Sequence, residues 1–317
     1  MKRIPLWMTL LPLVAGVGLY WYLWSGWADG FKAVLQGWLP GTTVEITGFP
    51  YRMEANIVSP RLAGGAAVKL TASADRARIN RGPWQPELTV VGADAPRLAA
   101  VVSEVLRVDI AGKTAASSVH VIDGRLARLS TVIEAATARL GFTPLAIAAD
   151  TLELHMRELR DAAAAAAGPA GAPRGQLVIV GQRLQLGGGD ALTLNADLTV
   201  TGDARLTGYD AWAKSGTVEV KTLSLADASG EVASVRATLV PEGRTGLRIV
   251  GTIETICPQT IAAATSAAPP VSEKRLRAPL RLAFEATAGV MKLAALPTDL
   301  ATRATRGQVP PCPVVRR

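Results

Sequence analysis

Leu192-Thr193-Leu194-Asn195-Ala196-Asp197-Leu198-Thr199-Val200 (LTLNADLTV) decides the fold. Apolar residues stand at every second position, with Thr, Asn and Asp between them. Successive side chains of an extended chain point to opposite sides, so this segment is a strand with one buried and one solvated face. The same period spreads outward in both directions. Tyr51, Met53, Ala55 and Ile57 alternate with Arg52, Glu54 and Asn56, and Leu152, Leu154 and Met156 alternate with Glu153, His155 and Arg157. Ala233, Val235, Ala237 and Leu239 alternate with Ser234, Arg236 and Thr238, and Leu247, Ile249 and Ile253 continue the pattern. Turn residues bound the segments at Gly64-Gly65, Asp123-Gly124, Gly187 to Asp190 and Glu242-Gly243. Strands joined by such turns predict an antiparallel meander, so the body is mainly β.

Two stretches, 96–106 (PRLAAVVSEVL) and 130–140 (STVIEAATARL), suit helix or strand, with Glu134 three residues after Thr131 as in a capping box. Residues 161–175 (DAAAAAAGPAGAPRG) have little to bury and read as a linker. They separate an N-terminal β lobe over 42–160 from a C-terminal β lobe over 176–300, and 301–317 form a Pro/Arg tail. The halves share one texture and are compatible with two similar lobes of one elongated, curved antiparallel sheet carrying a few short helices.

The N-terminus has a different period. Lys2 and Arg3 precede residues 4–24 (IPLWMTLLPLVAGVGLYWYLW), which hold no charge. About 20 apolar residues span a bilayer as a helix. Trp7 near one end, and Tyr20, Trp21, Tyr22 and Trp24 at the other, match aromatic side chains at membrane interfaces. Residues 1–27 are therefore expected to be a cytoplasmic tip and transmembrane signal-anchor in the inner membrane, with the rest of the chain periplasmic. The rival is a cleaved signal peptide, since Gly26-Trp27-Ala28 offers small residues to a peptidase. Its apolar region would exceed the roughly 7–15 residues usual for such peptides. Over 28–41, Phe31, Val34, Leu35 and Trp38 have helical spacing, Asp29 could cap the start, and Pro40-Gly41 stops it. This reads as an amphipathic juxtamembrane helix that lies on the membrane or packs on the first strands.

The 317 residues carry a net charge of +8 and a pI near 9.9, but the arginines are scattered singly without interleaved aromatics. A nucleic-acid groove needs a dense basic track with stacking rings, so no nucleic-acid partner is expected. The two cysteines, Cys257 and Cys312, each stand beside proline. In an oxidising compartment such a pair forms a disulfide, and the alternative is two unpaired thiols.

Gly48-Phe49-Pro50-Tyr51-Arg52, followed one strand later by Ser59-Pro60-Arg61-Leu62, resembles the N-terminal signature of the DUF2125 family of alphaproteobacterial proteins. Ala74-Asp75-Arg76-Ala77-Arg78 and Gly82-Pro83-Trp84-Gln85-Pro86 are similar to that family's next element. The resemblance implies a periplasm-facing envelope protein with a sheet akin to those of AsmA-like β-rich envelope proteins, and it implies no activity. Read physically, Gly48 permits a turn, Pro50 stiffens the entry to a strand, and Phe49 and Tyr51 cover its start as a packed corner.

Chemistry is harder to find. His120 and His155, the only histidines, stand far apart, whereas zinc takes three or four clustered ligands. Gly187-Gly188-Gly189-Asp190 lacks the Lys-Ser/Thr of a phosphate loop. Asp150, Glu153 and Glu158 could pair as acid and base, but they occupy polar-face positions of strands. No enzyme and no cofactor is expected. Leu152, Leu154, Leu192, Leu194, Leu198, Val235, Leu239 and Ile249 would line one apolar sheet face. Ala63, Ala66, Ala67, Ala72, Ala146, Ala148 and Ala196 would leave room there for acyl chains. The leading expectation is an anchored scaffold that binds or transfers lipid or other apolar envelope material. A partner that docks another envelope protein by strand addition is the alternative, and an envelope hydrolase is a remote third.

Overall fold

The computed structural model describes residues 6–64, 69–101, 107–123, 125–141, 146–159, 172–202, 212–242, 246–266, 268–287 and 290–315. Helix α1 (Leu6–Trp38) runs for 33 residues. The strands follow as β1 (Ile46–Thr47), β2 (Met53–Val58), β3 (Arg61–Gly64), β4 (Lys69–Ser73), β5 (Arg76–Gly82), β6 (Gln85–Asp94), β7 (Arg97–Val101), β8 (Arg107–Ala111) and β9 (Thr114–Ile122). They continue as β10 (Arg125–Leu140), β11 (Ala146–Glu158), β12 (Ala172–Leu186), β13 (Leu192–Gly202), β14 (Val218–Asp227), β15 (Gly230–Glu242) and β16 (Gly246–Thr255). Helix α2 (Pro258–Ser266), β17 (Leu280–Thr287), β18 (Val290–Leu293) and α3 (Leu300–Arg303) complete the described elements.

All 18 strands belong to one sheet. From β9 onward each strand pairs antiparallel with the next in sequence. The earlier strands are long ones bent in the middle. On one side of the bend β2 pairs with β5, β5 with β6, and β6 with β9. On the other side β3 pairs with β4, β4 with β7, β7 with β8, and β8 with the far end of β10. The whole is a meander, and the stretches at 97–101 and 130–140 that suit either period are strands. Residues 160–171 of the expected linker lie outside the described residues. Its end, from Ala172, is already in β12, where Gly175 pairs with Glu158. The sheet therefore runs on through this point, because backbone pairing on both flanks needs no large side chain.

The bends form a seam. Hydrogen bonds cross it from Ser59 N to Asp75 O, Asp75 N to Asp94 O, Ala95 N to Lys113 O and Lys113 N to Glu134 O, at 2.8–2.9 Å. Ser59, Ala95, Ala135 and Arg183, on every second strand, hold positive φ of 46–50°. The strand pairs keep one register across the bends at Ser59, Ala95 and Ala135 and shift it only beside Arg183, between Gly181 and Leu184. The phase of alternation nevertheless changes across the seam. Ile133 and Ala136, three apart on β10, share a core cluster with Ala149 and Leu152, three apart on β11. Register carries that face on to Ala138, Ile110, Leu98, Ala72 and Leu62. Gly112 sits where the seam is tightest, since a Cβ there would meet Ile133 Cγ2 at 2.3 Å.

Residues 28–41, expected as a separate juxtamembrane helix, are helical as far as Trp38 and continuous with the segment expected to be the anchor. Asp29 lies inside the helix and caps nothing. Gly26 is tolerated because Trp24, Ala28, Phe31, Leu35 and Leu39 form one stripe that packs on Met53, Ala55 and Ile57. Pro40 and Gly41, with φ +80°, then turn the chain toward β1.

The other end is closed by a lock. Cys257 and Cys312 form a disulfide with Cα atoms 5.8 Å apart, buried with Leu192 and Val232. The Glu273 carboxylate accepts from Gln259 N at 3.0 Å and Thr260 N at 2.9 Å, at the start of α2. Buried Arg275 pairs with Asp227 and donates to the Pro310 carbonyl at 3.0 Å. Nothing in the local sequence spacing signals this ion pair.

Three outcomes are expected on unfolding the full chain in detergent. Gly112→Val destabilises by about 2–3 kcal/mol through overpacking against Ile133. Ala135→Gly instead stabilises by up to about 1 kcal/mol, because glycine occupies left-handed φ without a Cβ clash. Cys312→Ser, which opens a loop closed over a sequence separation of 55, costs about 4 kcal/mol on the chain-entropy model. Limited proteolysis should then cut near Arg306 while β2–β16 stay protected.

Candidate functional site

Two features stand out, an aromatic cluster at the helix and the apolar face of the sheet. The cluster begins at Gly48, whose φ is +98° and whose Cβ would meet Arg52 O at 2.8 Å. Only glycine allows the chain to fold back so that Tyr51 N and Arg52 N both donate to Gly48 O. The loop thereby sets Phe49 against α1, with ring centroids 5.7 Å from Tyr20 and 5.5 Å from Trp24. The Tyr20 hydroxyl donates to the Pro50 carbonyl. Across the sheet, Pro83 and Trp84 form the β5–β6 turn. Trp84 stacks on Tyr20 at 5.8 Å and meets the edge of Trp27 at 5.7 Å. Pro86, which lacks an amide proton, falls in the irregular stretch between the Gly82–Gln85 and Arg81–Thr89 pairs. Arg52 pairs with Glu54 at 2.9 Å, and Arg81 lies over the Phe31 ring at 5.9 Å.

The sequence motifs and the helix aromatics thus converge, and Trp27 joins them. A packed corner would bury its rings. Here Tyr51 is 84% exposed and Trp84 70%, with Trp21 and Tyr22 at 57% and 70%. Packing on the first strands accounts for Phe49 in part but not for Tyr51. The side chain of Trp7 lies outside the described residues.

The N-terminal half of α1 leaves the sheet entirely. Leu10, Leu11, Leu13, Val14, Val17 and Leu19 are each at least half exposed and face all sides of the helix. Among the described residues no helix is long and apolar enough to cross a membrane. The expected span starts at Ile4, and residues 1–5 lie outside the described residues.

The apolar face is continuous. Leu154 stands beside Ile179, and the row runs on through Ala196, Leu223, Val235 and Ile253. Leu152 shares Gly181 with Leu194, Leu198 pairs with Val220, and Leu239 pairs with Ile249. Leu192 continues the Leu194 side into the disulfide cluster. All the expected face residues therefore share one side. Leu152 and Leu192 are buried, and the others are half-buried. Helix α1 covers this face at β2, and α2 contributes Ile261 to the cluster of Ala237, Ile253 and Phe284. Between them, the cluster around Ile133, Leu152 and Leu184 is built from strand residues alone. Ala72 and Ala196 lie on this side, whereas Ala63 and Ala146 stand in the row of Asp109 and Arg139 on the opposite face, with Ala148 beside them. The bends turned them over. Ala66 and Ala67 lie outside the described residues.

The opposite face is polar. Asp150 pairs with Arg183 at 2.9 Å, Glu153 with His155 at 3.1 Å, and Glu158 with Arg125 at 2.7 Å. These carboxylates each meet a basic partner instead of one another, so they do not make an acid/base pair. His120 lies 3.7 Å from Glu87. Among the described residues no group of three His, Cys, Asp or Glu is placed to hold a metal. Two open depressions flank the seam on this side. One of about 590 Å³ is lined by Asn56, Arg78 and Asp94, and one of about 790 Å³ by Arg61, Arg97 and Arg139. Asp109, which lines the larger, accepts twice from Arg107, at 2.7 and 2.9 Å. Those hydrogen bonds hold the Asp109 carboxyl below its ordinary range.

Comparison with protein-family models matches residues 37–302 to a family described as an uncharacterized protein conserved in bacteria, DUF2125. No curated protein and no solved structure matches the chain. The likeness to AsmA-like proteins thus stays an expectation of the sequence. The match runs from the end of α1 to α3 and takes in both aromatic motifs, the seam and all 18 strands. On that extent, the chain belongs to the DUF2125 family.

Proposed function

We propose that this protein is an anchored, non-catalytic β-scaffold whose apolar sheet face binds or transfers acyl chains of envelope lipid on the periplasmic side of the inner membrane. The observation that carries the reading is the strand-only cluster in the middle of the sheet. A sheet with one apolar face normally buries it against a second layer. Over β9–β13 no helix among the described residues takes that role. A broad apolar surface left half-open marks an interaction site.

The choice of lipid follows from what lies beside that face. Its first strands are covered by the same helix whose N-terminal half is apolar on every side. A helix apolar all round belongs in a core or a membrane. The basic residues before it favour a cytoplasmic N-terminus. A second reading, docking of a protein by strand addition, draws on the free edge of β18, which pairs only with β17 among the described residues and leaves Val290 62% exposed.

Photocrosslinking in native membranes separates the two. A benzophenone side chain is placed at Leu154 or Leu198 on the apolar face, or at Glu153 or Asp197 on the polar face of the same strands. The expected result is lipid adducts at the first two positions, at least about tenfold above the second two, given the apolar surface available to acyl chains. Equal labelling of both faces, or protein adducts alone at Leu154 and Leu198, would overturn the lipid reading. Adducts to one protein at Val290 would support strand addition.

A further inference from the structure

We propose that the 48–52 loop and the Trp84 turn form a second membrane contact borne by the sheet. Together with Tyr20, Trp21, Tyr22 and Trp27 they make one aromatic collar that seats in the head-group region of the bilayer. The inference rests on reading α1 as the anchor, and it assigns to the family's aromatic motifs the task of orienting the sheet on the membrane.

Depth comes first. A helix rises about 1.5 Å per residue, so residues 6–21 of α1 cover about 24 Å, most of the roughly 30 Å of a hydrocarbon core. That places Tyr20 and Trp21 at the far interface. Phe49 and Trp84 are in ring contact with Tyr20 at 5.7 and 5.8 Å, so they share its level. The hydroxyl bond from Tyr20 to the Pro50 carbonyl fixes the loop at the same height.

Exposure and chemistry point the same way. Trp84 and Tyr51 present 70% and 84% of their surface outward, although both lie next to an apolar cluster that could have buried them. Tryptophan and tyrosine combine an apolar ring with a polar tip, and they concentrate where hydrocarbon meets head groups. Charge agrees, because Arg52 and Arg81 flank the rings and could meet lipid phosphates. A protein partner would need the same surface to be free of membrane. Contact between these rings and the helix that enters the bilayer favours lipid as the occupant.

The geometric result is a fixed stance. One helix alone would leave the sheet free to swivel about the helix axis. Contacts from two separate strand connections, both held against α1, remove that freedom. They also bring the α1-covered end of the apolar face to the membrane surface, where acyl chains enter and leave.

The test uses the full, oxidised chain in vesicles of phosphatidylethanolamine and phosphatidylglycerol. Nitroxide labels are placed singly by Val14→Cys on the helix, Gln85→Cys beside Trp84, and Ser229→Cys on the β14–β15 turn at the opposite rim. Collision rates with oxygen and with a water-soluble nickel complex then report depth. The expected result is Val14 in the core, Ser229 in water, and an oxygen-to-nickel ratio at Gln85 at least about threefold above that of Ser229, as befits interfacial depth. Adding Trp84→Ala and Tyr51→Ala should bring Gln85 back to the Ser229 value while Val14 keeps its depth. Val14 in the core with Gln85 as wet as Ser229 would overturn the collar and leave the anchor standing. Val14 in water would overturn both.

Discussion

Keeping one face of a single layer apolar from end to end is the constraint on which this structure depends. A strand shows alternate residues to opposite sides, so a bend that interrupts the alternation turns all later side chains over. This sheet bends across seven of its long strands at once. It stays amphipathic because the sequence changes phase at each bend. Ile133 is followed by Ala136 and Ala138 on the same side, Leu152 is preceded by Ala149 and Ile147, and Ile57 is followed by Leu62. The backbone bonds from Ser59 to Asp75, Ala95 to Lys113 and Lys113 to Glu134 keep the ladder whole through the seam. Gly112 supplies the one place where a side chain would not fit beside Ile133.

Much of this was legible in the sequence. Strict alternation at 192–200 and 233–239 marked strands, and the strands are there. The face residues from Leu152 to Ile249 do share one side. The seam was the harder part, although the signal existed. Apolar residues at a spacing of three or five inside an otherwise alternating stretch are what such a bend leaves behind, as at Ile133 and Ala136. Ala63, Ala146 and Ala148 were placed on the apolar side only by carrying the phase straight through. Alanine carries too little hydrophobicity to show the change by itself. The stretch 161–175, poor in large side chains, reads as a break, while its last residue, Gly175, is paired on both flanks, with Glu158 and with Val200.

The aromatic cluster shows the reverse limit. Its members come from three separate places in the chain: Tyr20 to Trp27, the loop with Phe49 and Tyr51, and Trp84. Sequence spacing cannot bring such residues together. The glycine-proline motif could be read as a corner, but which rings it meets depends on α1 continuing unbroken past Gly26 to lie over β2. The stripe of Trp24, Ala28, Phe31 and Leu35 decides that, and it straddles the boundary that hydropathy would draw between anchor and juxtamembrane helix. The lock at the other end, with Glu273 at the start of α2 and Arg275 on Asp227, is equally long-range.

The meander has a consequence for how the molecule can be made and varied. Apart from the short β1, each long strand is hydrogen-bonded to the strands that precede and follow it in the chain, with no crossover. Pairing partners therefore come within reach in the order in which the polypeptide emerges, and nothing must wait for a distant segment until Cys312 returns to Cys257. Such an object behaves almost as a one-dimensional stack, in which stability is a sum over neighbours. A hairpin can be removed from or added to the middle without re-routing the rest, provided strands change in pairs and keep the apolar phase. The first strands cannot be varied so freely, because they carry the helix and its rings, and neither can the rim of β12–β16, which holds the disulfide and the tail. Sheet length is in this sense an adjustable ruler gripped at two places.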